Sequence, residues 1–216
     1  MKISLAINSK KPIKDWLDDC LMSAVVFDEI VLYLDGPLME NIPEFKVPVS
    51  VIHDGQERSI IDGFNLAIRV TSGDWVCSFC DDDYFLQPAL SNLLIAIKEH
   101  EFGNDADIIH FPVSVNGQYS WGHRGDFTLH QILVENLIPH GSFIRRSAFD
   151  KLEGYRIDEG ADWNLWIRAK KAGLIFKYFP EDVYFFRHGH DRSAFNKQVG
   201  AMGGFQNLKD KVLANA

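Results

Sequence analysis

Residues 74–83 read DWVCSFCDDD, an apolar run from Asp74 to Cys80 that ends directly in Asp81, Asp82 and Asp83. The run has strand length and is rich in aromatic and β-branched residues, so it predicts a buried strand. Three like charges at the end of such a strand repel one another unless a positive group joins them. An all-oxygen donor set suits a hard divalent ion, Mg2+ or Mn2+, completed by water and substrate phosphates. The same triplet would also serve as a solvated turn, with one Asp capping the helix near Pro88.

Working outward from this stretch, the N-terminal half alternates strands and helices. Lys2 to Ile7, Glu29 to Leu34 and Val49 to His53 read as strands. Trp16 to Ala24 and Ile60 to Ile68 show helical spacing, the second stopping before Ser72-Gly73. Short strands joined by helices predict an α/β fold with a Rossmann-like, mostly parallel central sheet covered on both faces. Sheets of this kind bind ligands beyond the carboxyl ends of their strands, where Asp35 and Asp81 to Asp83 fall.

The C-terminal half is less regular. Leu90 to Ile97 reads as a helix, and Asp107 to Val115 as a strand interrupted by Pro112. Asn116 to Asp126 reads as loop, His140 to Arg145 as a strand, and Ser147 with Asp150 as a capping box opening a short helix. A further helix starts at Asp162 and stops at Gly173. Tyr184 to Phe186 is a last strand, and a helical stretch closes the tail. The expectation is one domain over 1–216: about 1–115 on one side, about 116–195 on the other, and a tail from 196.

Two further clusters carry chemistry. Asp158-Glu159-Gly160-Ala161-Asp162-Trp163 stands at a helix entrance, where a carboxylate serves as a general base or simply as an N-cap. His188 and His190 lie among Arg187, Asp191 and Arg192, a set suited to completing a metal shell, to a phosphate, or to a polar surface loop. The other six histidines are scattered and receive no role. Cys77 and Cys80 form C-x-x-C within a strand and read as buried thiols, with a redox or zinc site as the alternative.

Composition narrows the classes. The 216 residues carry 22 Lys and Arg against 30 Asp and Glu, a formal charge of −8. That argues against nucleic acid as a partner, which requires a basic face. Apolar runs are far short of a bilayer span, and MKISLAINSKK has no signal-peptide pattern. The expected location is therefore the cytoplasm, at most peripheral to the inner face of a membrane. No P-loop, G-x-G-x-x-G or G-x-S-x-G occurs.

These features, in this order, resemble the family 2 glycosyltransferases, over roughly Ile3 to Ser193. EIVLYLDG resembles the family's second strand, ending in a nucleotide-contacting Asp, here Asp35. DGFNLAIRVTSGDWVCSFCDDDYF is similar to its Asn-containing helix and the strand before the D-x-D. HGSFIRRSAFDKLEGYRIDEGADWNLWIRAKKAG resembles its acceptor-side segment, and RHGHDRS its closing Arg/His segment. Phe64, Ala161 and Tyr84 depart from the family's Arg, Glu and fourth Asp.

The resemblance implies a GT-A (nucleotide-diphospho-sugar transferase) fold and an inverting, metal-dependent transfer from a nucleotide-diphospho-sugar, a UDP-sugar by family habit, to a glycan or other hydroxyl acceptor. It implies Asp162 as catalytic base and Asp35, Asn65, Asp81 and Asp82 as donor-binding residues. Asp83 and Asp81, with His190 or His188, would hold Mn2+ or Mg2+. The rivals are a binding domain of the same fold without turnover and a metal-dependent phosphohydrolase.

Overall fold

The computed structural model describes residues 1–10, 12–37, 44–189 and 203–216. The N-terminal half follows the expected alternation: β1 (Ile3–Lys10), α1 (Lys14–Ser23), β2 (Glu29–Asp35), β3 (Ser50–Ile52), α2 (Ile60–Val70) and β4 (Trp75–Cys80). Then come β5 (Tyr84–Phe85), α3 (Ala89–Lys98), β6 (Ile108–His110), β7 (Val113–Val115), β8 (Tyr119–Trp121) and α4 (Leu129–Val134). The chain continues through β9 (Phe143–Arg145), α5 (Arg146–Lys151), α6 (Ala161–Lys171), β10 (Phe176–Tyr178), β11 (Tyr184–Phe186) and α7 (Phe205–Ala214).

A seven-stranded sheet has the order β10-β6-β9-β4-β1-β2-β3. It is parallel except for β9, which runs antiparallel to both β4 and β6. Ile3, Leu5 and Ile7 turn into one core with Leu17, Leu21, Leu90 and Leu93 of α1 and α3. Ala6, Val31 and Val76 turn into the other, with Phe64 and Ile68 of α2 and Trp163 and Trp166 of α6. Alternate residues thus face opposite helical layers, as a sheet covered on both faces demands. Among the described residues no helix is long and apolar enough to cross a membrane.

Three local readings change. Pro112 does not merely interrupt one strand: it separates β6, in the large sheet, from β7, in a second sheet of order β5-β11-β7-β8. The stretch read as loop contains β8, joined to β7 by a turn with Asn116 at φ 50° and Gly117 at φ 67°. An Asn-Gly pair in the left-handed region matches the twist of a hairpin. The capping box expected from Ser147 and Asp150 is absent, since the N-cap of α5 is Arg145, two residues earlier, with no side-chain cap.

Candidate active site

The parallel register puts Lys10 opposite Asp35 and Asn8 opposite Cys80, so β1, β2 and β4 end side by side. Ser9 lies one residue from the end of β1, where its buried hydroxyl donates to Asp81 Oδ2 at 2.6 Å. Asp81 and Asp83 are 8% and 5% exposed, which decides against a solvated turn. No side chain caps α3, so the triplet does not serve that helix either.

The second sheet closes over the triplet. Past the end of β11, the backbone N–H of Arg187 donates to Asp83 Oδ1 at 2.8 Å. The Arg187 guanidinium donates to the Asp82 carbonyl and, at 2.8 Å, to Asp19 Oδ2 of α1. It stacks against Trp16 and Tyr84, 5.4 and 4.9 Å from the ring centres. Burial first, and the Asp82 carboxylate second, push the Asp83 carboxyl well above the ordinary range. A buried carboxyl crowded by like charge is the environment a cation relieves, and the hard-oxygen donor set fits Mg2+ or Mn2+.

Asp35 ends β2 with its carboxylate accepting from the Arg58 N–H at 2.8 Å, and Lys10 Nζ lies 3.9 Å away. The Arg58 side chain itself turns to Asp54 and the Tyr33 hydroxyl, and Lys10 pairs more closely with Glu57, at 2.5 Å. Asn65 lies in α2. Its amide donates to the Tyr155 carbonyl at 2.9 Å and accepts from the Tyr155 N–H at 3.0 Å, fastening α2 to the segment before α6.

The three carboxylates around the start of α6 have different partners. Asp158 accepts from the Ile61 N–H at 3.0 Å, in the first turn of α2. Glu159 pairs with Lys211 of α7 at 2.7 Å. Asp162, in the first turn of α6, accepts from Asn136 Nδ2 at 2.9 Å. Gly160, not Asp162, occupies the N-cap position.

His140 belongs to this region, although no motif marks it in the sequence. Its ring lies between Phe64 and Tyr155, with centroids at 4.7 and 5.8 Å. Burial lowers its pKa, while the charges of Asp162 and Asp82 oppose the shift. Tyr184 registers both halves as well: burial first, then Asp83 and more weakly Asp162, raise its phenol. The base candidate and the acidic triplet thus act on the same side chains.

The histidine cluster is only partly described. The His188 backbone exchanges hydrogen bonds with the Asn116 side chain at 2.9 and 3.0 Å, and its side chain is exposed. His190 lies outside the described residues. Among the described residues no group of three or more His, Cys, Asp or Glu side chains is gathered to hold a metal. The C-x-x-C resolves to free thiols, Cys77 Sγ donating to the Gly141 carbonyl at 3.0 Å. Burial pushes both well above the ordinary thiol value, opposite to what a thiolate ligand or nucleophile needs.

Comparison with known proteins agrees with this fold. A protein of Bacillus subtilis (strain 168) named "Uncharacterized glycosyltransferase YwdF" is 24% identical over an alignment covering 79% of this chain and 69% of its own. The crystal structure of S. aureus TarS 1–349 in complex with UDP-GlcNAc superposes with a TM-score of 0.70 at 16% identity, covering 99% of this chain and 71% of that one. The same TarS segment in complex with UDP gives 0.69 at 14% identity, covering 100% of this chain and 66% of that one. The shared fold is the one the alternation of strands and helices predicts. The sequence model described as "Glycosyl transferase family 2" matches residues 5–153, well over half of the chain, and the protein belongs to that family of enzymes.

Proposed function

We propose that the protein moves a sugar from a UDP-sugar to an acceptor hydroxyl, with inversion at the anomeric carbon and with a divalent metal. The buried pair Asp81 and Asp83 at the carboxyl end of β4 carries this reading. It has the donor chemistry for a hard cation and stands beside Asp35, where a nucleotide would lie. Mn2+ or Mg2+ held by Asp83 and Asp81 would supply positive charge against the diphosphate.

The remaining steps fall to side chains. Asp35, held by the Arg58 backbone N–H, binds the nucleotide. Arg187 keeps Asp83 and the Asp82 carbonyl in place. Asp162 takes the proton from the acceptor hydroxyl as that oxygen forms its bond to the anomeric carbon. The bond from that carbon to the diphosphate oxygen breaks on the opposite face, and its electron pair leaves with UDP. Asp158 is committed to α2 and Glu159 to Lys211, which favours Asp162 among the three. A positioned base contributes about 10²–10⁴-fold.

Calorimetric titration of UDP with and without Mn2+ tests the donor site. Wild type should bind UDP only with the ion, and Asp83→Ala should lose that binding while melting as a folded protein. Equal affinity in the two proteins removes the metal role of Asp83.

A further inference from the structure

Asn136 stands in the turn that follows α4, where the sequence offers no motif. Its Oδ1 accepts from the Ile138 N–H at 3.4 Å, while its Nδ2 donates to Asp162 Oδ2 at 2.9 Å. The partners fix which way the amide points, because the backbone donor claims the oxygen and the carboxylate needs the NH2. The contact joins residues 26 positions apart and is part-buried.

The next residue of α6 repeats the tie. Trp163 Nε1 donates to the Ile132 carbonyl of α4 at 2.6 Å, and this bond is buried. Helix α4 is itself fixed at its start by a reciprocal capping box between Thr128 and Gln131. On the far side, Phe205 of α7 stacks on Trp163 with centroids 6.0 Å apart. The α6 backbone at Asp162 is therefore held from two directions, but its carboxylate is oriented by Asn136.

An aspartate at the start of a helix keeps freedom about both side-chain torsions unless a donor selects one orientation. A general base must stand within hydrogen-bond reach of the proton it removes, and a misplacement of about 1 Å can cost on the order of 10²-fold. We infer that Asn136 is the positioning residue for Asp162, aiming the carboxylate at the acceptor hydroxyl without touching the substrate. The inference rests on Asp162 being the base, as proposed above.

The test is a double-mutant cycle on UDP release, using the UDP-sugar that wild type turns over fastest. Asn136→Ala should lower kcat by about 10- to 100-fold and leave donor KM within about twofold. Asn136→Asp keeps the shape but supplies no donor and sets a second carboxylate against the first, so it should lose at least as much. Asn136→Gln keeps the NH2 and should recover part of the rate. In an Asp162→Asn background, Asn136→Ala should cost nothing further, because the residue acts only through that carboxylate.

Melting temperatures and UDP affinity confirm that each variant is folded, with the isosteric Asn136→Asp as the safeguard if Ala is not. If Asp162→Asn abolishes turnover while Asn136→Ala retains it, the positioning role is overturned and the base reading survives. A multiplicative loss in the double variant overturns it as well. Full activity in Asp162→Asn overturns the base reading and this inference together.

Discussion

The backbone N–H of Arg187 donates to Asp83 Oδ1 at 2.8 Å across 104 residues of sequence. The same residue's guanidinium reaches the Asp82 carbonyl and Asp19 of α1. One arginine therefore ties the acidic triplet to the second sheet and to the first helix. Its charge also lowers the Asp83 carboxyl, although burial and Asp82 outweigh it.

Arg187→Ala should weaken Mn2+-dependent UDP binding by about tenfold, roughly 1.4 kcal/mol, and lower the melting temperature. Arg187→Lys should not restore either, since an ammonium lacks the fork that reaches two acceptors and the flat face that stacks on Trp16 and Tyr84. Calorimetry on the three proteins checks this. Full recovery with Lys would reduce the role of Arg187 to its charge.

His110 gives the protein an acid-sensitive core. Its ring is packed among Phe127, Phe176 and Tyr178, and neither ring nitrogen has a partner among the described residues. Burial lowers its pKa from 6.5 to about 4. Below 6.5 the unfolded chain takes a proton that the folded chain refuses until about 4, so stability falls across that window and levels off beneath it. The loss is at most about 3 kcal/mol. His110→Phe should flatten the pH dependence of urea unfolding between pH 7 and 4.5, though not abolish it, since His140 is shifted the same way. An unchanged slope would show that His110 does not titrate in this range.

Gly160 adopts φ 63°, and a Cβ there would stand 2.6 Å from Val212 Cγ2 of α7. Gly160→Ala meets both a left-handed backbone and that methyl group, and should cost about 1–3 kcal/mol. Because Gly160 is the N-cap of the helix carrying Asp162, kcat should fall more than donor KM rises. Chemical unfolding and steady-state kinetics read the two effects. Val212→Ala should relieve only the steric part.

The strands β1, β2 and β4 were legible because each is an apolar run ended by polar residues. The acidic triplet was legible for the same reason, since charge directly after a buried strand is conspicuous. The second sheet was not. Tyr184 to Phe186 did read as a strand, but strands of two or three residues are too short for alternation to show which sheet they join. Asn116-Gly117 did carry the hairpin signal, but the polar, glycine-rich residues after it read as loop. Asn136, His140 and Arg187 acquire their meaning from partners far along the chain, which no local spacing encodes. Asn65 is the converse: a conspicuous position by resemblance, with both amide atoms engaged by Tyr155.

The most direct measurement is UDP release from a panel of UDP-sugars, with Mn2+ and then with EDTA, for wild type and Asp83→Ala. Wild type should release UDP from at least one donor, with release lost on chelation and in the variant and raised by acceptor hydroxyls. Tight UDP-sugar binding with no release from any donor, or release indifferent to both EDTA and Asp83→Ala, would contradict the proposed function.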